Sequence, residues 1–131
     1  MSVPLGASHE ENLQVTDEMA ITFLGPGQAR VLSTPHLIGY LEMTSRNLIK
    51  QFLPEGEDSV GTQVNIRHLA ATPIGMNVRF RAEVAAVEGQ RVVCRVEAWD
   101  DREKVAEGTH ERFVIDVARF GKRVRAKSSG L

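Results

Sequence analysis

The sequence holds a single cysteine in 131 residues. That excludes an internal disulfide framework and a cysteine-based structural zinc site. No apolar run approaches the ~18 residues that a membrane helix requires. The opening segment Met1-Ser2-Val3-Pro4-Leu5-Gly6 lacks the basic and apolar regions of a signal peptide, so a cytoplasmic protein is expected. An excess of positive charge is also missing. Sixteen Lys+Arg against seventeen Asp+Glu leave a net charge of -1, which argues against a dedicated nucleic-acid binder. No glycine-rich loop of the GxGxxG or GxxxxGK kind is present to cradle a phosphate. His9, His36 and His110 have no partners at metal-ligand spacing, so no metal is expected. There is no internal repeat.

What the sequence does contain is the composition of a folded chain, 42% hydrophobic and 25% charged, with the length of a single domain over residues 1–131. Residues 1–12 read as a loose polar start. Leu13 to Leu24 reads as a strand, with Ile21, Thr22 and Phe23 as strand formers, ended by Gly25-Pro26-Gly27. Thr34-Pro35 signals a helix start: the threonine can cap the first turn, and proline suits the first helical position. An apolar stripe at helical spacing then runs through Ile38, Leu41, Glu42, Ser45, Leu48, Ile49 and Phe52 until Pro54 stops it. Strands follow. Thr62, Val64, Ile66 and His68 share one face. Met76, Val78, Phe80, Ala82 and Val84 alternate with polar residues, and Val92, Cys94, Val96 and Ala98 do the same after the Glu88-Gly89 turn. A last strand is expected from Lys104 to Asp116, with Gly108 as a bulge. The tail, 119–131, is basic.

Strand, long helix, then four closely connected strands is an α+β design, and a hot-dog arrangement fits it: a five-stranded antiparallel sheet wrapped around one central helix. One helix cannot cover such a sheet, so a homodimer is expected.

Three ionisable residues break the apolar pattern. Glu42 lies on the buried helix stripe. It either reaches solvent at the stripe's margin or is a carboxylate held in an apolar cleft for a catalytic purpose. His68 lies on an apolar strand face, as a hydrogen-bonded core residue or a general base. Arg112 is a solvated strand arginine or faces the same cleft. Cys94, between Val92 and Val96, reads as inert packing.

At these positions the chain resembles the fluoroacetyl-CoA thioesterase group of hot-dog proteins, from about Ser33 to Val124. Three segments carry the likeness: Thr34 to Glu42; Val60-Gly61-Thr62 through His68-Leu69-Ala70-Ala71-Thr72-Pro73; and Gly108-Thr109-His110-Glu111-Arg112. The resemblance implies catalytic roles for Thr34, Glu42 and His68, and places Gly61 and Arg112 on the acyl and thioester pocket. It implies hydrolysis of a small or short-chain acyl-CoA thioester, with coenzyme A entering only as part of the substrate and no separate cofactor. Two other readings stay open: a non-catalytic acyl-CoA or small-ligand binding protein, and a hydratase, for which the usual closely spaced Asp and His are missing. The family's fluoroacetyl enzyme carries an aromatic lid before its helix. Here Gly25 to Ser33 has no aromatic residue, so weak fluoroacetyl selectivity is expected.

Overall fold

The computed structural model describes residues 2–130. The chain forms β1 (Ser8–Gln14), α1 (Thr34–Lys50), β2 (Glu57–His68), β3 (Asn77–Glu88), β4 (Arg91–Asp100), β5 (Lys104–Asp116) and α2 (Val117–Ser128). The five strands make one antiparallel sheet in the order β1-β3-β4-β5-β2. The period-two pattern of the central strands does what it predicts: Val78, Phe80, Ala82 and Val84 of β3 and Val92, Cys94, Val96 and Ala98 of β4 are all buried on the inner face. Leu37, Leu41, Leu48 and Ile49 of α1 close over them, and the Tyr40 and Phe80 rings meet at 5.7 Å between centroids.

Four expectations need correction. The first strand is Ser8–Gln14, inside the segment expected to be loose. Two of its three inward residues, His9 and Glu11, are polar, so no hydrophobic alternation announces it. They are satisfied by each other, at 2.8 Å, and by the Asn47 amide, at 2.7 Å to Glu11. Ile21, Thr22 and Phe23 belong to a long connection instead, because β1 already occupies the edge beside β3. Arg30 stitches that connection together, donating to the carbonyls of Ile21, Asp17 and Ala20.

The cap of α1 is Ser33, whose hydroxyl accepts from the His36 N–H at 3.2 Å. Thr34 and Pro35 are therefore the first two helical residues, and the Thr34 hydroxyl is left for another task.

Gly108 is not a bulge, since it pairs in register with Ile66 and Val96. The irregularity of β5 comes earlier, between the Ala98–Ala106 and Trp99–Lys104 pairs. Gly108 is required for a different reason: a Cβ there would stand 2.0 Å from the Asn65 carbonyl oxygen.

The basic tail is a helix, α2, capped by the Asp116 carboxylate on the Arg119 N–H. None of its residues is buried.

Candidate active site

The functional side chains fall along the seam between α1 and β2, which run in opposite directions. At one end the Thr34 hydroxyl, released from capping, shares a hydrogen bond of 2.8 Å with Nδ1 of His68. The other ring nitrogen, Nε2, is buried and has no hydrogen-bond partner among the described residues. Burial lowers the His68 pKa, and the Ala70 backbone offsets part of the shift. A cleft of about 350 Å³ opens beside the pair, lined by Ile21, Phe23, Val31, Thr34, His68 and Leu69 among others. The connection expected to lack an aromatic thus brings Phe23 to this mouth, because the stretch that reads as strand is part of the loop.

Two helical turns further along α1, about 12 Å, stands a second cluster. The Glu42 carboxylate, 38% exposed, lies 3.9 Å from Nε2 of His110 and 4.0 Å from Nη1 of Arg112. It is therefore at the margin of the stripe, yet turned onto two buried groups. Arg112 is no solvated strand residue; it is 6% exposed. Its Nε donates to the Ser59 hydroxyl at 2.7 Å, its Nη2 to the Ser59 carbonyl at 2.6 Å, and its Nη1 to His110 Nε2 at 3.1 Å. Burial lowers the Arg112 pKa, and the neighbouring Glu42 charge opposes that shift.

Gly61 completes this cluster. A Cβ at this position would lie 2.8 Å from Glu42 Oε2 and 3.1 Å from His110 Cε1. Gly61→Ala is expected to displace the carboxylate, the movable partner. It should lower kcat about tenfold or more while thermal stability changes little, a split that steady-state kinetics and a melting curve check together.

Glu42 and His68, which the sequence pairs, do not meet within one subunit. Gly61 and His68 are roughly 20 Å apart along β2, so each end of the seam holds half of the expected set. Thr62 also departs from the expected inward face. It is the extra residue where β2 slips against β5 between Gly61 and Gln63, and its hydroxyl donates to the Glu111 carboxylate on the outer face at 2.6 Å. Ser59 and His110 are members of the cluster that the sequence reading missed. His110 has the same strand parity as Arg112 and Val114, a signal that an expected bulge at Gly108 hides. Cys94 is inert as expected: burial pushes its thiol up to about 11.

Two depressed histidines tie stability to pH. Burial lowers the pKa of both His68 and His110, so the unfolded chain takes up protons near the ordinary value of about 6.5 that the folded chain refuses. Their contribution is fully present above that value and is lost as pH falls below it. The urea midpoint is expected to be lower at pH 5.5 than at pH 7.5, with part of the difference removed in His110→Gln.

Among the described residues no helix is long and apolar enough to cross a membrane. A hollow of about 380 Å³ on the outer sheet face, between Arg67, Arg95 and Lys104, shares no residue with either cluster.

Comparison with known proteins bears on the two clusters together. The sequence profile of the fluoroacetyl-CoA-specific thioesterase family, FlK, matches residues 15–118, a span that holds every residue of both. A fluoroacetyl-CoA thioesterase of Streptantibioticus cattleyicolor is 39% identical over 98 residues, covering 75% of this chain and 70% of the relative. The solved structure of the fluoroacetyl-CoA thioesterase FlK superposes with a TM-score of 0.88 at 32% identity, covering 97% of this chain and 98% of that one. A thioesterase superfamily member from Thermus thermophilus superposes at 0.89, also 32% identical, over 98% of this chain and 95% of that one. On the sequence match and the relative's identity, the chain belongs to the fluoroacetyl-CoA-specific thioesterase family.

Proposed function

We propose that this protein hydrolyses the thioester of a small acyl-CoA, and does so as a homodimer whose active sites are each shared by two subunits. The observation that carries the reading is the division of the site residues: Thr34 and His68 at one end of the seam, Glu42 with Gly61, His110 and Arg112 at the other.

The sheet edge supports the dimer. β2 is the last strand of the sheet, and Gly61 to Asn65 are exposed on it. Apolar Val64 on this strand and Leu69 immediately after it are exposed as well. An open edge of this kind is a template for pairing with a second strand. Two β2 edges paired antiparallel about a two-fold axis near Val64 and Asn65 bring His68 of the partner subunit level with Gly61, and so toward Glu42. The two half-sites then make two complete sites. Light scattering is expected to give twice the 14.5 kDa chain mass; a monomer at micromolar concentration overturns the shared-site reading.

In such a site a water oxygen, or first an enzyme oxygen, bonds to the thioester carbon. The C–S bond breaks, the sulfur leaves as the CoA thiol after taking up a proton, and the acyl group ends as a carboxylate. His68, whose protonated form burial disfavours, accepts and returns the proton. Thr34 holds the His68 ring through Nδ1 or donates to the thioester. Glu42 directs the attacking oxygen, and the Arg112 cation beside it steadies negative charge at the carbonyl. A CoA substrate supports the expected cytoplasmic location, where CoA thioesters are found.

The test is thiol release over a panel of acyl-CoA thioesters. Turnover of short acyl groups supports the reading. Binding of CoA without turnover of any member leaves a ligand-binding protein instead. Phe23, at the Thr34–His68 mouth, removes the ground for expecting weak selectivity. Comparing kcat/KM for fluoroacetyl-CoA and acetyl-CoA, Phe23→Ala is expected to narrow any preference the wild type shows, since an apolar contact of this kind discriminates by about tenfold to a hundredfold.

A further inference from the structure

His110 has no role by spacing, yet the fold encloses it until it is 1% exposed. Its contacts fix its chemistry. Nδ1 lies 2.9 Å from the Gln63 carbonyl oxygen, which can only accept, so Nδ1 carries the proton. Nε2 lies 3.1 Å from Arg112 Nη1. A guanidinium can only donate, so Nε2 must be the acceptor. Both bonds are satisfied at once only by the neutral ring protonated on Nδ1.

The surroundings agree. Burial is the largest influence on the ring and disfavours its charge, and Arg112 acts in the same direction. The Gln63 carbonyl opposes them first, then Glu42 from α1 and Glu111 from β5. Cys94, the cross-strand neighbour on β4, is held as an uncharged thiol.

Gln63 is also the first residue to pair again after β2 slips against β5 at Thr62. His110 grips that slip from the inner face. The next residue, Glu111, grips it from the outer face through the Thr62 hydroxyl, and is itself paired with Arg91. Gly61, immediately before the slip, is thereby held where it leaves room for the Glu42 carboxylate.

We propose that His110 is a positioning residue of this site: as a neutral acceptor it holds the Arg112 guanidinium toward Glu42, and as a donor to Gln63 it pins the β2 bulge that sets Gly61. The proposal rests on the thioesterase reading above. It assigns His110 no bond-making step and no contact with substrate.

Two substitutions separate this from a packing role. His110→Leu removes both polar contacts, while His110→Gln keeps a side-chain acceptor that can reach Arg112. The Leu variant is expected to lose kcat by about tenfold or more, with KM changed less than about threefold, and the Gln variant to recover most of the loss. Packing alone predicts that the two variants fall together, in step with their melting temperatures. A folded His110→Leu chain with wild-type kcat, or a Gln variant no better than Leu, overturns the proposal.

Nitrogen NMR of the wild-type imidazole gives a readout that does not depend on the variants folding. The neutral ring protonated on Nδ1 is expected at pH 7. A ring protonated on Nε2, or an imidazolium, overturns the assignment. If the wild type releases thiol from no acyl-CoA, the thioesterase reading is what fails, and the NMR result still decides the contacts of His110.

Discussion

Under the proposed shared-site dimer, chains carrying Glu42→Gln and chains carrying His68→Ala, each slowed about a hundredfold or more when assembled alone, are expected to regain about a quarter of the wild-type rate when unfolded together and refolded as a mixture. The number follows from the geometry. Glu42 stands with Gly61 and Arg112, His68 with Thr34, and the two groups are too far apart along β2 to serve one site inside one subunit. If each site draws Glu42 from one chain and His68 from the other, a mixed dimer has one site with both defects and one with neither. Random assortment makes half of the dimers mixed, and half of their sites are intact. A site built within one chain predicts no recovery, because every chain in the mixture carries a defect. Recovery that rises with refolding and is absent when the two dimers are only combined shows chain exchange as its cause.

The single variants have a large expected effect of their own. Glu42→Gln and His68→Ala should each lower kcat by about a hundredfold or more, the scale of a lost acid–base group. Glu42→Gln keeps the shape of the side chain and removes its charge. Its cost in stability should be small, because Glu42 is 38% exposed and its cationic contact, Arg112, is at 4.0 Å, where water screens it. The acid limb that His68 contributes to kcat/KM should fall below the ordinary imidazole value of about 6.5, since burial lowers its pKa. A glutamate that served only to meet solvent would leave turnover near normal after Glu42→Gln, and that result would remove Glu42 from the site.

The aliphatic core was legible because it obeys simple periods. The alternation through Val78, Phe80, Ala82 and Val84, and again through Val92, Cys94, Val96 and Ala98, specifies strands with one buried face, and the helical spacing of Leu41, Leu48 and Ile49 specifies the element that covers them. Glu42 and His68 were legible as breaks in those periods. β1 was not, because two of its three inward residues are polar: His9 and Glu11 satisfy one another and Asn47, so pairing with β3 holds the strand more than its single inward Leu13 does. Helix capping was legible only to within one residue. Ser33 and Thr34 are equally able to cap, and the fold decides between them by giving the Thr34 hydroxyl to His68.

Composition and periodicity by themselves determined an α+β chain with one long helix and an antiparallel sheet, and two ionisable groups set on otherwise apolar faces. They did not determine which of those groups share a place. That was decided by the antiparallel run of α1 against β2, which puts Glu42 beside Gly61 and Thr34 beside His68, and by the slip of β2 at Thr62, which gives His110 a carbonyl to hold and Arg112 an acceptor. Periodicity reports only the face on which a side chain lies, whereas a site depends on register between strands and on the distance along them. Both are set by long-range pairing that no local pattern encodes.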